Sequence, residues 1–328
     1  MTASRIAPIL LVALLPFSGC SSGCGREEGG KAAGERQPTT TAMPPTTAAA
    51  PVVHHGEKYQ LYRPRRWDVG DVVTREATTV ITGRITEVAP DGRLSRLPTT
   101  KETVRANWAE KTVEVDDDGR RTRYLVDLRT WLRTQADVRD ESLQGAVVAV
   151  SGAGAKRTWS FVGRDIQPNT EAKDWLDGHF GSHGPSDEQW LRMMLPDDDV
   201  AVGESWTPDV VLLGDGMEGS GLAIDRPSLI ATATLVAIEG GSARCSFNGK
   251  FGLLRIPNSE VPLSKGTMDF EGEMSVPLAP EHLVLSMRRF RATFQGETSK
   301  NDAITRLDFA TDERSTTTPG GDFAEHAE

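Results

Sequence analysis

Apolar and polar side chains alternate with a period of two along much of the sequence from Glu57 onward. Because side chains two positions apart lie on the same face of a strand, this pattern predicts strands with one buried face. Most of the alternating stretches end at Gly, Pro or Asn, which favours an antiparallel meander with short connections. We expect strands at 72–88, 146–151, 156–162, 229–238, 243–256, 267–276, 283–294 and 304–309.

The stretch from Thr112 to Leu128 predicts a β-hairpin. Two alternating runs flank the sequence Asp-Asp-Asp-Gly at 116–119. An Asp-Gly pair in this setting predicts a type I′ turn, in which both central residues have positive φ. The loop also copies the first half of a calcium-binding loop, but Leu125 stands where the bidentate acid belongs. We therefore expect a solvated hairpin tip and no calcium site.

The segment 169–199 has a different pattern that predicts two short helices. Asn169 or Thr170 can cap the first helix, which we expect to end where glycines recur at 178–184. The sequence Ser-Asp-Glu-Gln at 186–189 is a capping box for the second helix.

These elements predict an α+β, β-rich fold: antiparallel meander sheets in two lobes, with two short helices between them. The lobes are expected either to be separate or to share one continuous sheet. We expect a signal peptide at 1–19, a lipid anchor and disordered tether at 20–56, a first β-rich lobe at 57–168, a helical connection at 169–199, a second β-rich lobe at 200–312 and a disordered tail at 313–328.

Charge and hydropathy argue against two classes of protein. The net charge is -10, and the 37 Lys and Arg residues are scattered along the chain, which disfavours nucleic-acid binding. No apolar run approaches the roughly 20 residues of a membrane-spanning helix, so we do not expect the mature chain to cross a bilayer.

The first twenty residues have the layout of a secretory signal peptide, with a short basic stretch before an apolar stretch at 6–17. The sequence Leu-Pro-Phe-Ser-Gly-Cys at 15–20 resembles the lipobox of bacterial lipoproteins, although Phe17 stands where Leu is usual. The resemblance implies that the chain is cleaved before Cys20, and that this cysteine carries a diacylglyceryl group and an acylated amino group. The alternative is an ordinary signal peptide that is cut near a chance cysteine.

Residues 21–53 consist mainly of Gly, Ser, Thr, Ala and Pro and contain hardly any large apolar side chain. Such a segment cannot bury a core, so it predicts a disordered tether. A flexible linker of this length has a reach on the order of 30 Å. The folded region is therefore expected to stand away from the membrane surface.

The chain as a whole resembles a loosely defined group of bacterial envelope lipoproteins. The resemblance rests on the lipobox, the tether, and Leu195-Pro196 leading through the sequence Val-Gly-Glu-Ser-Trp at 202–206 into strands with glycines near their turns. It implies no reaction and no catalytic residues. A more distant architectural resemblance is to the half-barrels of periplasmic lipoprotein carriers, which shelter acyl chains. That analogy predicts a cavity of several hundred Å³ between sheet and helices, the usual size of a ligand pocket.

Motifs that carry chemistry are incomplete. His179 and His183 have the spacing of helical metal ligands, but interleaved glycines favour a turn, and we predict no metal site. Ser220 lacks the first glycine of a nucleophile elbow, and no phosphate loop is complete. Cys24 lies in the tether, whereas Cys245 lies in a strand-like run and is expected to be a buried apolar side chain. We expect neither catalytic residues nor cofactors.

Seven tryptophans are consistent with sugar binding, because sugar rings stack on exposed indoles. Trp159, Trp175 and Trp190 have apolar neighbours and are expected in the core. Trp108 and Trp131 have more polar neighbours and are the candidates for exposed stacking surfaces.

The leading functional hypothesis is a membrane-anchored extracytoplasmic lipoprotein with a non-catalytic, β-rich binding or structural domain. Its expected partners are the membrane, through the lipid anchor at Cys20, and an apolar ligand, glycan or envelope protein. The alternative is a cell-wall or glycan hydrolase with dispersed carboxylates. A third hypothesis is a scaffold that contacts only other proteins.

Overall fold

A computed structural model describes residues 56–62, 66–152, 156–181, 187–219, 221–255, 261–279, 287–300 and 303–324. Within these ranges the fold is β-rich. The strands are β1 (Lys58–Tyr59), β2 (Val72–Val88), β3 (Leu94–Arg96), β4 (Thr100–Val115), β5 (Arg121–Gln135), β6 (Val138–Asp140), β7 (Ala146–Ser151), β8 (Thr158–Phe161), β9 (Val200–Ala201), β10 (Ser205–Trp206), β11 (Ile224–Glu239), β12 (Ser242–Leu253), β13 (Lys265–Pro277), β14 (Met287–Lys300) and β15 (Ala303–Pro319). The helices are α1 (Thr170–Phe180), α2 (Asp187–Met194) and α3 (Val210–Gly219).

One antiparallel sheet of 13 strands contains most of these elements, in the order β10-β11-β12-β13-β14-β15-β2-β4-β5-β7-β8, with β3 beside β2 and β6 beside β5. Strands β1 and β9 form a separate pair. The chain runs outward from β2 to the edge strand β8, passes through α1 and α2 to the opposite edge at β10, and returns to the centre at β15. The predicted β-rich α+β class with antiparallel sheets is confirmed, and the two expected lobes share one continuous sheet.

The last strand joins the two halves of the sheet. β15 pairs with β14 on one side and with β2 on the other, from Ile304 opposite Val88 to Pro319 opposite Val73. The expectation of a disordered tail at 313–328 is therefore wrong over residues 313–319. The error has a physical cause: both faces of this stretch carry polar side chains, so the sequence lacks the apolar alternation that marks a half-buried strand.

Each expected strand overlaps an observed one, but several observed strands are longer: β4 begins at Thr100 rather than Thr112, and β15 continues to Pro319 rather than ending at 309. The expected strands at 72–88 and 146–151 coincide with β2 and β7. Residue 256 and residues 283–286, at the ends of two other expected strands, lie outside the described residues.

The hairpin of β4 and β5 is confirmed, but its turn is of another type. Gly119 has φ of 75°, whereas Asp118 does not have positive φ. The N–H of Gly119 donates to the carbonyl oxygen of Asp116, and the N–H of Asp116 donates to that of Arg120, both at 2.9 Å. The turn therefore places only the glycine in the left-handed region, as in a type I turn followed by a glycine bulge.

Helix α1 begins where the sequence predicts, with Asn169 as its cap. The Asn169 Oδ1 accepts a hydrogen bond from the N–H of Ala172 at 2.8 Å. The helix continues through Gly178 to Phe180, beyond the expected break, because the buried Trp175 and Phe180 pack against the sheet on successive turns. The expected capping residue of α2, Ser186, lies outside the described residues.

Helix α3 is absent from the sequence prediction. It begins with the apolar sequence Val-Val-Leu-Leu at 210–213, and the two β-branched valines locally favour a strand. Asp209 overrides that preference: its Oδ1 accepts hydrogen bonds from the N–H groups of Val211 at 3.0 Å and Leu212 at 2.9 Å. Leu213 and Met217 are then buried in the apolar cluster of the second half of the sheet. Among the described residues, no helix combines the length and apolarity required to cross a membrane.

All three helices pack against the same face of the sheet. α1 covers a cluster built on β2, β4, β5 and β7, with Trp108, Trp131 and Trp175 at its centre. α2 and α3 cover a second cluster built on β11 to β15, which contains Phe247 and Phe290. We refer to this face as the helix-covered face.

Glycines make room for aromatic rings in the second cluster. Phe247 lies opposite Gly272, and Phe270 lies opposite Gly249, across the β12–β13 pair. A Cβ atom added to Gly272 would lie 2.5 Å from Phe247 Cζ and closer still to the carbonyl oxygen of Arg289. The rings therefore lie over bare backbone, where the absence of a Cβ atom allows this close approach.

We expect Gly272→Ala to destabilise the protein by about 1–3 kcal/mol, because the added methyl overpacks the ring and the neighbouring strand. Chemical denaturation measures this. Gly219→Ala is the matched control, because Gly219 lies at the end of α3 with nothing within 4 Å of an added Cβ. Equal unfolding free energies for the two variants would contradict the account of close ring packing.

Candidate functional site

A strip of polar side chains crosses the middle of the helix-covered face. Thr311, Glu313, Ser315 and Thr317 of β15 all point to this face, and none is more than 5% exposed. The strip separates the two apolar clusters. Buried polar side chains in this number require partners or a function, because desolvation without a hydrogen bond is costly.

Ion pairs flank the strip on both sides. The Arg288 Nη2 on β14 lies 2.6 Å from the Glu313 Oε1, and both side chains are at most 5% exposed. On the β2 side, the Arg75 Nε lies 2.8 Å from the Glu110 Oε1. The other oxygen of Glu110 accepts from the Arg121 Nη2 at 2.7 Å. The strand register places Ser315 directly opposite Arg288.

His179 approaches this region from the last turn of α1. Its ring stacks on Trp175, with the ring centroids 4.1 Å apart, and lies 6.0 Å from the Trp108 ring. The Nδ1 lies 2.8 Å from the carbonyl oxygen of Trp175. Since a carbonyl oxygen only accepts, Nδ1 carries the proton and the Nε2 of the neutral ring is an acceptor.

Burial and charge hold His179 in its neutral form. Desolvation by burial, together with the positive charges of Arg157, Arg288 and Arg75, lowers the pKa of His179 from 6.5 to about 4, although the hydrogen bond to the carbonyl oxygen of Trp175 acts in the opposite direction. The residue as a whole is half-buried, whereas its Nε2 is shielded from solvent.

Several buried polar atoms here find no hydrogen-bond partner within the part of the chain that the structure describes. They are the Ser315 Oγ, Arg288 Nε, His179 Nε2 and Thr311 Oγ1. Each such atom costs about 1–3 kcal/mol of desolvation. We call Arg75, His179, Arg288, Glu313 and Ser315 the central polar site.

The sequence did not single out the central polar site. Only His179 was a candidate, as a metal ligand in a turn, and it lies in a helix instead. Its expected partner, His183, lies outside the described residues. Within those residues no three His, Cys, Asp or Glu side chains are grouped as metal ligands.

The other residues that the sequence singled out either have contacts that explain them as parts of the fold or lie outside the described residues. Asp116 accepts hydrogen bonds from the N–H groups of Asp118 and Arg120. Cys245 is buried as expected, and burial raises the pKa of its thiol to about 12. Ser220, Cys20 and Cys24 lie outside the described residues.

The burial of the tryptophan side chains differs in part from the prediction. Trp108 and Trp131 are 2% and 0% exposed, so the expectation that they offer stacking surfaces is wrong. Trp175 and Trp190 are buried as predicted, and Trp159 is half-buried against the same cluster as Trp175. Trp108 has polar neighbours in sequence because buried carboxylates share its face: its Nε1 donates to the Glu110 Oε1 at 3.0 Å.

A groove of ≈ 580 Å³ lies on the opposite face, across β11 to β14. It is therefore not the cavity that the carrier analogy predicts between sheet and helices. Its lining carries both signs of charge and several amide and hydroxyl groups. The solvent-facing residues that line it are Ile230, Thr232, Asn248, Lys250, Asp269, Glu271, Arg291 and Thr293.

Comparison with known proteins assigns no family. No family model and no curated protein matches the sequence. Among solved structures, the chain is similar to the "InvG secretin domain beta-barrel from Salmonella SPI-1 injectisome NC-base", with 9% identity and a TM-score of 0.15 over 79% of this chain. The match spans 65% of that structure's chain, and a TM-score this low carries no functional argument.

We expect Arg288→Met to destabilise the protein by about 3–5 kcal/mol, because it leaves the buried Glu313 carboxylate without its guanidinium. The double variant Arg288→Met, Glu313→Leu is expected to lose less unfolding free energy than Arg288→Met alone, because neither member of this ion pair is then left buried without the other. Chemical denaturation of the two single variants and the double variant measures this coupling. Additive losses would contradict it.

The lowered pKa of His179 also predicts that the free energy of unfolding depends on pH. The folded state holds its pKa at about 4, below the ordinary 6.5, so its contribution is fully present above pH 6.5 and is lost as the pH falls from 6.5 to 4. The loss is expected to reach about 3 kcal/mol. The variant His179→Phe keeps an aromatic ring on Trp175 and should lack this part of the pH profile. Parallel profiles for the wild type and the variant would refute the prediction.

Proposed function

We propose that this protein is a lipid-anchored, extracytoplasmic binding protein of the bacterial cell envelope. The observation behind the binding role is the central polar site: Ser315 lies opposite Arg288, the charge of Arg288 acts on the His179 ring, and each of the three carries a buried hydrogen-bonding atom without a partner among the described residues. Polar groups that are buried in this way point to a polar ligand, because such a ligand would satisfy them.

The surroundings of the site favour an amphipathic ligand over a purely apolar one. The Arg288 Cζ lies 5.4 Å from the centroid of the Trp190 ring, and the His179 ring is enclosed by Trp175 and Trp108. A polar head at the central polar site would therefore have aromatic walls beside it. A wholly apolar molecule would leave the buried hydrogen-bonding atoms unsatisfied.

The membrane location in this proposal rests on the N-terminal sequence. The match of residues 15–20 to a lipobox supports acylation at Cys20, and the following low-complexity segment supports a tether. Two or three acyl chains hold a protein on a membrane, whereas one alone binds only marginally.

The groove across β11 to β14, on the face opposite the helices, gives little support to the hydrolase alternative. Asp269 and Glu271 both line it, but they lie two residues apart on the same face of β13. Glycoside cleavage needs carboxyl groups on both sides of the scissile bond. Glu271 also lies 3.6 Å from the guanidinium of Arg291.

The location is tested with Cys20→Ala in the full-length protein. We expect the wild type in the membrane fraction and the variant in the soluble fraction, because the variant lacks the thiol that the lipid modifies. Equal circular dichroism spectra control for the fold. Membrane fractionation that does not change, together with a wild-type mass that shows no lipid, would rule the anchor out.

The binding role is tested by native mass spectrometry of the full-length wild type extracted from its own membrane. We expect one small molecule per chain in addition to the covalent lipid. The variant Ser315→Ala should retain less of it, since the alanine removes one hydrogen-bonding group from the site. A mass that equals the lipidated polypeptide alone in both proteins would contradict the proposal.

A further inference from the structure

The face of the sheet opposite the helices carries a patch of positive charge. It covers three rows of side chains that the strand register aligns across β14, β15, β2 and β4, all of them described residues. Asp312 is the one carboxylate in these rows. We call the cations of these rows the basic patch, which consists of Lys101, Arg105, Arg289, Arg291 and Arg314. The chain as a whole is acidic, with a net charge of -10, so this excess of cations is local.

The arginines of the basic patch lie in an arrangement that favours a bound anion. Arg289 lies directly opposite Arg314 in the β14–β15 register, and like charges in that position destabilise a sheet. These two guanidinium groups and that of Arg291 share the Asp312 carboxylate, at distances of 3.6, 3.6 and 3.3 Å. The three arginine side chains are still 49–55% exposed. An anion from solution can therefore reach them and reduce their mutual repulsion.

The groove across β11 to β14 leads into the basic patch, because Arg291 and Thr293 line its end on β14. Its volume of ≈ 580 Å³ is typical of ligand sites. The hydrogen-bonding side chains in the rest of its solvent-facing lining are Thr232, Asn248, Lys250, Asp269 and Glu271. From β11 to β4 the groove and the patch span seven strands, which is on the order of 30 Å. An elongated ligand fits this surface better than a compact one.

The carboxylates of Asp269 and Glu271 distinguish between kinds of anionic ligand. Both line the groove, and Glu271 lies 3.6 Å from the guanidinium of Arg291. They repel a ligand that offers negative charge alone, such as polyphosphate or the head groups of an anionic bilayer. They accept hydrogen bonds from hydroxyl groups, however. A sugar chain that carries anionic groups supplies both the hydroxyl donors and the charge.

Two further lining residues agree with a sugar chain. Ile230 is 54% exposed at the β11 end of the groove, where it offers an apolar contact to the carbon face of a sugar ring. Phe270, the aromatic residue of the lining, is 4% exposed. Single-stranded nucleic acids stack their bases on exposed aromatic rings, and this ring is covered.

We propose that the groove and the basic patch together bind an anionic polysaccharide, which lies across the strands from β11 to β4. Its hydroxyl groups hydrogen-bond to Asn248, Asp269 and Glu271 in the groove. Its carboxylate groups pair with the arginines of the patch, whose planar guanidinium groups match carboxylate geometry. This surface lies on the face opposite the central polar site. The inference therefore goes beyond the proposed binding of a small molecule and does not depend on it.

Calorimetric titration of the full-length protein in detergent at pH 7 tests this inference. The probes are hexagalacturonate, maltohexaose and a linear polyphosphate of similar length. We expect hexagalacturonate to bind at least about tenfold more tightly than the other two, because maltohexaose lacks charge and polyphosphate lacks hydroxyl groups. Its binding should weaken as the salt concentration rises.

Three variants locate the binding, and all three change exposed side chains, so folding should be unaffected. Arg314→Gln should weaken hexagalacturonate binding by about tenfold, because it removes a charge-assisted pair. Asn248→Ala should weaken it by about threefold or more, because it removes a hydrogen bond in the groove. Arg123→Gln is the matched control for charge: Arg123 is exposed on β5, nine residues from Leu132, which lies opposite Arg105. At about 30 Å along the strand it should leave binding unchanged.

The inference is wrong if polyphosphate binds as tightly as hexagalacturonate, which is the behaviour of a general anion-binding surface. It is also wrong if hexagalacturonate does not bind, or binds equally well to the wild type and to Arg314→Gln. Displacement of hexagalacturonate by phosphatidylglycerol in the micelles, but not by phosphatidylcholine, would identify a membrane surface as the occupant and overturn the inference as well. None of these results changes the small molecule expected in native mass spectrometry, so the two proposals fail separately.

Discussion

The hydrogen-bonded pairing of β15 with β2 holds the two halves of the sheet together. It joins the final strand to the first long strand and so turns two meanders into one sheet. A joint made of residues far apart in sequence has a large loop-closure cost, which backbone pairing on both sides of β15 and the apolar clusters beside it offset. The helices then cross from one sheet edge to the other over a single face.

The same pairing creates the central polar site. Because β15 lies in the middle of the sheet, its inward side chains are sealed between the two apolar clusters, and the strand brings Glu313 to Arg288 and places Ser315 opposite it. A buried ion pair adds little net stability compared with an apolar pair of the same volume. Stability alone therefore gives no reason for a polar strip here, and the strip is the basis of the proposed ligand recognition.

Local patterns recovered much of the scaffold. Alternation gave β2 and β7 their bounds, and the side chain of Asn169 marked the start of α1. Prediction failed where long-range contacts override local preference. Helix α3 begins in a β-branched run that Asp209 caps, and Trp108 is buried beside Glu110 despite its polar neighbours in sequence. Among the residues of the central polar site, the sequence singled out only His179, and it predicted a turn where the structure has a helix.

The β-rich character of the chain and the positions of most strands follow from the amino-acid order alone, because a period of two is a property of neighbours along the chain. It also carries the pattern around Cys20 that predicts an anchored protein. Only the long-range pairing of strands puts both halves into one sheet, extends that sheet to Pro319, and buries Ser315 opposite Arg288. These outcomes depend on which distant strands pair, and the polar residues of β15 acquire partners only after that pairing has buried them.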